Sequence, residues 1–207
     1  MAEFAYTLTN LRTRVRYILN EPTENFWLDV ELNRWLNDAQ RDIAIKSTCI
    51  RNIDSTTTTA AQRYVTYNGY KVLYVEYNSI GLPKIHPTQI GRAQTDATGA
   101  PAYWFESNGR VYFDPIPDNT YTVYLYVIDY PAAELSDGAP TPTIPNHFRP
   151  LMTLYTLSKA YEKDKRYGPS AQLMGMYESE LWHARLDRVE IVPDSREVLE
   201  WGRVPSK

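Results

Sequence analysis

The chain is short of almost everything that marks a chemical site. Its 207 residues hold one cysteine, Cys49, so no internal disulfide can form and a secreted disulfide scaffold is excluded. The three histidines, His86, His147 and His183, stand far apart, and none has a second His or a Cys at metal-ligand spacing. There are 9 glycines, and no phosphate-cradling loop, dinucleotide fingerprint or nucleophile elbow is among them. Positive charge is not in excess: 22 Lys and Arg against 25 Asp and Glu leave a net charge of −3. Gripping DNA phosphates needs clustered cations, so the composition speaks against a DNA-reading surface. No apolar run reaches the ~20 residues of a membrane helix. The opening MAEFAYTLTN lacks a basic start followed by an apolar stretch, and no signal peptide is expected from it.

Aromatic side chains are plentiful. The chain has 17 Tyr, 5 Trp and 5 Phe, within a hydrophobic content of 43%. Tyr pairs an apolar ring with a polar tip, which suits contact surfaces. A chain of this length buries ~70% of its unfolded surface, so a core forms without staples.

Hydrophobic period divides the chain into four blocks. Residues 1–54 and 144–192 read as helix, 55–143 as strand and turn, and 193–207 as an extended tail. The spacing of Leu8, Leu11, Val15, Ile18 and Leu19 predicts a first helix capped by Thr7 or Thr9, with Arg12, Arg14 and Arg16 on a solvated face. Glu21-Pro22 ends it. A second helix opens at Leu28 or Asp29, with Leu32, Trp35, Leu36, Ala39 and Ile43 as its buried stripe. Asp29 and Glu31 complement the positive end of its dipole.

In the second block, Ser55–Thr59 reads as a polar connector. Asn68-Gly69 predicts a hairpin between Tyr64–Tyr67 and Tyr70–Tyr77. Asn108-Gly109 predicts another between Tyr103–Ser107 and Arg110–Asp114. Tyr121–Tyr130 is the strongest strand, apolar or aromatic on both faces and so expected to be covered on both sides. In the third block Asn146 is the expected cap of a helix running to about Lys163 that tolerates Pro150 in its first turn. That helix carries two stripes: Phe148, Leu151, Met152, Tyr155 and Leu154, Leu157, Tyr161. A fourth follows Gly168-Pro169, with Leu173, Tyr177, Leu181 and Ala184 on one stripe and Trp182, Leu186 and Val189 on another, and ends at Pro193. The expected fold is α+β: an antiparallel helical bundle of two N-terminal and two C-terminal helices, with an inserted small antiparallel β-sandwich or barrel.

Catalytic candidates are few. Asp114, Asp118, Asp129 and Glu134 supply the carboxylates from which a glycosidic acid–base pair could be drawn, yet carboxylates in Pro- and Asn-rich turns are usually turn formers. Cys49 has no basic partner nearby and reads as an idle thiol. In the tail, Val198, Leu199, Trp201 and Val204 lie within a few residues of one another. They either fold back on the bundle or anchor on a partner, and Trp is enriched in such anchors.

Three segments together carry a resemblance: Thr9–Arg16 (TNLRTRVR), Trp27–Leu32 (WLDVEL) and Trp35–Asp42 (WLNDAQRD). Gly99–Tyr103, Asp114–Pro117, Ile144-Pro145 and the helix Leu151–Tyr161 extend it. The sequence resembles the head-to-tail adaptor, or head completion, proteins of short-tailed bacteriophages, similar in layout to the phage SU10 adaptor family. It departs at Leu28, where a small capping residue is expected after the Trp.

The resemblance implies a non-enzymatic virion protein without a cofactor. Such adaptors form a ring, usually dodecameric, below the portal, extend the DNA channel and give the tail nozzle its platform. The implied partners are the portal protein, the nozzle protein and sister copies, with genomic DNA passing through ungripped and no membrane involved. Assembly would take place in the host cytoplasm and the final location would be the virion neck. On that reading Val198, Leu199, Trp201 and Val204 would meet the portal, and truncation after Val192 would abolish docking. Leu154, Leu157 and Tyr161 would meet a neighbouring subunit, and Tyr124, Tyr126 and Tyr130 the nozzle or a subunit. A tail-associated protein that binds glycan or degrades peptidoglycan, and a DNA-binding packaging factor, are the rival readings.

Overall fold

A computed structural model describes residues 6–89, 97–137 and 141–186. Among the described residues four α-helices form: α1 (Leu8–Ile18), α2 (Asp29–Ser47), α3 (Arg149–Lys163) and α4 (Tyr167–Leu186). Nine strands are described between α2 and α3: β1 (Arg51–Thr57), β2 (Tyr64–Thr66), β3 (Lys71–Tyr77), β4 (Ile80–Leu82), β5 (Thr98–Gly99), β6 (Tyr103–Ser107), β7 (Arg110–Asp114), β8 (Ile116–Pro117) and β9 (Thr122–Ile128). The chain is thus mixed helix and sheet, in two compact units whose boundaries fall after Ile50 and after Ile128. The strand region opens and closes earlier than the expected 55–143.

In the helical unit Thr7 caps α1, its hydroxyl accepting from the Asn10 amide at 3.2 Å. Leu8, Leu11, Val15 and Leu19 are buried as their spacing predicts, but Ile18 is not. The cap of α2 is unusual. Leu28 has no side-chain acceptor, so Glu31 reaches back to the Leu28 amide at 3.1 Å and Glu24 accepts from the Asp29 amide at 2.9 Å. Thr48 ends α2 in the left-handed region at φ 53°. The expected Asn146 cap is not used: Asn146–Phe148 form a 3-10 turn that follows Pro145 and runs into α3, with Pro150 in the first helical turn.

Two clusters make up this unit's core. One joins Leu11, Leu36, Ile43, Ile144, Phe148, Met152 and Tyr177. The other joins Val15, Leu19, Leu32, Leu157 and Ala160. Each fully buried Leu or Ile contributes about 1.5–3 kcal/mol of transfer free energy. The segment before α3 is pinned by amides of α2: Asn37 accepts from the Leu135 amide at 2.6 Å and donates to its carbonyl at 3.1 Å, while Gln40 accepts from the Thr143 amide at 3.2 Å.

In the strand unit, β1-β9-β3-β4 form one antiparallel sheet and β2-β7-β6 another, while β5 and β8 pair in parallel. Both larger sheets feed one core: Val72, Val75, Leu82, Val123, Leu125 and Val127 from the first, Val65, Trp104, Val111 and Phe113 from the second. The hairpin at Asn108-Gly109 forms as predicted, with both residues at positive φ.

Three expectations fail here. The threonine-rich connector is part of strand β1, paired with β9 over seven consecutive positions. The Asn68-Gly69 hairpin does not form: β2 pairs with β7, and β3 with β9 and β4. A turn signal fixes only the local backbone, and the partner is chosen by which face each strand must bury. The hairpin that does form joins β3 to β4 through Asn78 and Ser79, both at positive φ. Nor is β9 covered on both sides, since Tyr124 is 40% exposed.

Candidate assembly surfaces

The first surface is built on a buried cation. Arg16 is 6% exposed, not solvated as its place beside the apolar stripe predicts. The chain leaving α1 turns at Asn20, φ 56°, and wraps the guanidinium. Arg16 Nε donates to Asp29 Oδ1 at 3.0 Å, and Nη2 donates to the same oxygen and to the Trp27 carbonyl at 2.8 Å. Nη1 reaches Glu21 Oε1 at 3.4 Å. Arg12 extends the network, with Nη1 donating to Asn33 at 3.1 Å and Nε 3.5 Å from Asp29. The fork of donors on Arg matches this set of oxygens in a way a Lys ammonium does not.

Glu21 is the counterpart of Arg16. Its carboxylate accepts from the amides of Asn25, Phe26 and Trp27 at 3.0–3.1 Å. Burial alone would raise its pKa; the Trp27, Phe26 and Asn25 amides and the Arg16 charge outweigh it and hold the carboxyl below its ordinary value. Lys163 on α3 donates to Glu31 and, at 2.6 Å, to the Phe26 carbonyl. The Lys163 hydrogen bond is the largest influence on Glu31, and its pKa too is lowered. Trp27 Nε1 donates to the Ala160 carbonyl at 3.1 Å. The connector between α1 and α2 is thereby fixed to three helices. What it holds outward is apolar: Tyr17 is 84% exposed, Val30 76%, and Ile18, Phe26 and Leu28 are each close to half exposed. Exposed apolar side chains on a braced connector and on the helix ends it joins make a candidate contact surface.

The second surface is the outer face of the first sheet. Ile53 of β1, Tyr126 of β9 and Tyr74 of β3 lie in one cross-strand row. Ser55, Tyr124 and Glu76 make the next. Tyr74 and Tyr126 meet edge to face at 5.3 Å, and the Tyr126 hydroxyl donates to Glu76 at 3.1 Å. Such pairs stiffen a sheet face while leaving rings available to a partner. Tyr130 is not part of this face. It lies in the helical unit under the Arg41 guanidinium, 4.8 Å from its ring centre.

The α3 stripe is placed differently from the reading that gave it to a neighbour. Leu157 is 3% exposed inside its own chain's core, with Tyr161 half-buried against the same cluster and Leu154 against the other. The exposed apolar residues of α4 include Tyr167, Met176 and Trp182. Val198, Leu199, Trp201 and Val204, with Val189 and Pro193, lie outside the described residues, as does the Leu186 side chain.

The residues weighed for catalysis have other occupations. Asp114 is buried with Arg63 at 3.8 Å, and Asp118 accepts from the Tyr121 hydroxyl at 2.6 Å. That hydrogen bond leads the effects that push the Tyr121 phenol up to about 12. Asp129 and Glu134 belong to the other unit. His86 Nδ1 lies 2.8 Å from Thr88 Oγ1, and the His147 ring packs on Phe148 at 4.1 Å. Among the described residues, no group of three or more His, Cys, Asp or Glu could hold a metal, and no helix is long and apolar enough to cross a membrane. A recess of about 400 Å³ beside α2 is lined by Asn37, Gln40 and Arg41. Its two amides are already bonded to the 133–143 segment.

Sequence reasoning missed the outward apolar corner, because Tyr17 and Val30 sit singly in helical patterns. The available signal was Glu21, Glu24 and Asp29 bracketing a loop next to three arginines.

The described residues thus offer ion-paired braces, packed cores and outward aromatic faces. The chain belongs to the SU10 adaptor protein family, which matches residues 6–198. It is therefore a bacteriophage adaptor of structural type, associated with the neck of the virion. No curated protein matches it.

Proposed function

We propose that this chain assembles as a ring, dodecameric in the virion, below the portal, where it prolongs the DNA channel and gives the tail nozzle its platform. On this reading the helices form an antiparallel bundle and the two larger sheets a small sandwich inserted in it. The observation that carries the proposal is the braced corner. Arg16 and Glu21 fix the connector so that Tyr17, Phe26, Leu28 and Val30 project from a rigid base. A ring needs a patch that meets a different patch on the next copy, with the rotation closing on itself. Pre-organised apolar residues lose little entropy on docking. On α3 the partly exposed Leu154 and Tyr161 border any such contact, whereas Leu157 serves the internal core.

Tyr124 and Tyr126 offer the sheet face to the nozzle or to a sister subunit. A net charge of −3 suits a channel wall that must release DNA, because cations held against phosphate would slow its passage. On the same reading, assembly takes place in the host cytoplasm. Immuno-electron microscopy of purified virions tests the reading. Label confined to the neck, several copies per particle, is the expected result; particles without label, or with label away from the neck, would refute it.

A further inference from the structure

Helix α4 has two faces of different use. One stripe, Leu173, Met174, Tyr177, Leu181 and Ala184, packs into the core of the helical unit. The opposite face runs along Gly168, Ala171, Gln172, Gly175, Ser179 and Trp182, all exposed and none of them charged. A helix face turned to water ordinarily carries charged side chains. Here Trp182 is 57% exposed and Met176, at the margin of the face, 48%. Gly175 stands inside the helix, where glycine is the poorest helix former after proline. Among the described residues, nothing outside its own stretch of helix lies within 4 Å of the place a Cβ would take there. Packing within the chain therefore does not call for a glycine at this position, whereas the close approach of a second molecule does.

We propose that the braced corner of one copy seats on this α4 face of the next copy, with Val30 over Gly175 and Trp182 as the anchor at one end. The proposal rests on the ring reading above and names the two patches that a ring needs. They are different surfaces of one protein, so each contact leaves a corner and an α4 face free for further copies. Both belong to the helical unit. Their shapes are complementary: Tyr17, Phe26, Leu28 and Val30 are large and stand outward, where the middle of the α4 face is small. Their charges are complementary as well. Over residues 8–37 the exposed charged side chains are Arg14, Arg34 and Glu24, and Glu24 is taken up by the Asp29 amide at 2.9 Å. On α4 they are Glu178, Glu180 and Arg185, and Arg185 lies over the Trp182 ring at 5.9 Å. Base is thus in excess beside the corner and acid beside the α4 face. Opposite signs steer such an encounter, and like signs disfavour corner against corner. Trp is also the side chain most often found at the energetic centre of an interface.

Two measurements on the full chain mixed with portal protein test the pairing. Gly175→Leu fills open space on the α4 surface and replaces a poor helix former with a good one. Its thermal midpoint should therefore not fall, while its rings, viewed by electron microscopy, should be lost. Val30→Cys and Gly175→Cys, made separately in a Cys49→Ser background and then mixed, should form a disulfide between the two proteins under mild oxidation, a bond that needs Cα atoms within about 7 Å. Rings formed by Gly175→Leu would overturn the pairing and leave the ring reading intact. So would wild-type rings whose mixed cysteine variants give no disulfide between the two positions, or link position 30 only to position 30. Wild-type protein that forms no ring would overturn both.

Discussion

Arg16 and Asp29 face each other across the turn between the first two helices, with the guanidinium Nε 3.0 Å from the carboxylate and the arginine almost wholly buried. That pairing determines how the apolar corner is presented, because the same guanidinium also holds the Trp27 carbonyl and Glu21. Arg16→Met should destabilise the protein by about 3 kcal/mol, since it strands carboxylates that are partly buried. Arg16→Lys should recover part of the loss, and Arg14→Ala should change stability by less than about 0.5 kcal/mol as an exposed substitution. Urea unfolding of the four proteins measures this.

Acid should loosen the same corner. Glu21 and Glu31 both have lowered pKa values in the fold. A depressed folded pKa stabilises at pH above the unfolded value, about 4.3 for Glu, and that stability is lost as pH falls through the folded value. Stability should therefore decline below about pH 4.5. Glu31→Gln should make that decline shallower, as followed by the thermal midpoint against pH.

The alkaline limb has a separate origin. The Tyr121 phenol, pushed up to about 12 by Asp118, favours the fold while it is protonated. Its contribution is complete below the unfolded value near 10 and is lost as pH rises through the folded one. Asp118→Asn should shift the ultraviolet titration of one tyrosine downward and leave the acid limb unchanged.

Tyr177 links α4 to α2. Its buried hydroxyl donates to Asp42 at 2.6 Å, and burial, followed by that bond, raises its pKa well above the ordinary range. Tyr177→Phe should cost about 1.5–3 kcal/mol, the usual range for a hydrogen bond to a charged group. The helical circular-dichroism spectrum should be retained and the urea midpoint lowered.

The helices were legible because their apolar residues recur at the helical period; Pro22 follows the end of α1, while Gly168-Pro169, expected to precede α4, lies in its first turn. The Asn108-Gly109 hairpin was legible because turn chemistry and flanking strands agreed there. β1 was not. Apart from Ile53 its residues are polar and none is buried, so Ser55–Thr59 carried no alternation to read. Arg16 was misread for a related reason: position on a helix predicts exposure only until a following loop folds over it. The adaptor family showed in WLNDAQRD, where Trp35, Leu36 and Ala39 face inward and Asn37 and Gln40 pin the segment before α3. Tyr17 and Val30, the residues proposed for contact, carry no local pattern, because such a use would depend on a second molecule.

The central claim is that the braced corner joins copies into a ring on the portal. Electron microscopy of the wild-type chain and of Val30→Glu, each mixed with portal protein, tests it most directly. The account predicts closed rings on the portal for the wild type, and a Val30→Glu protein with unchanged thermal stability that forms none. Rings of normal copy number formed by Val30→Glu, or wild-type protein that binds the portal singly, would contradict it.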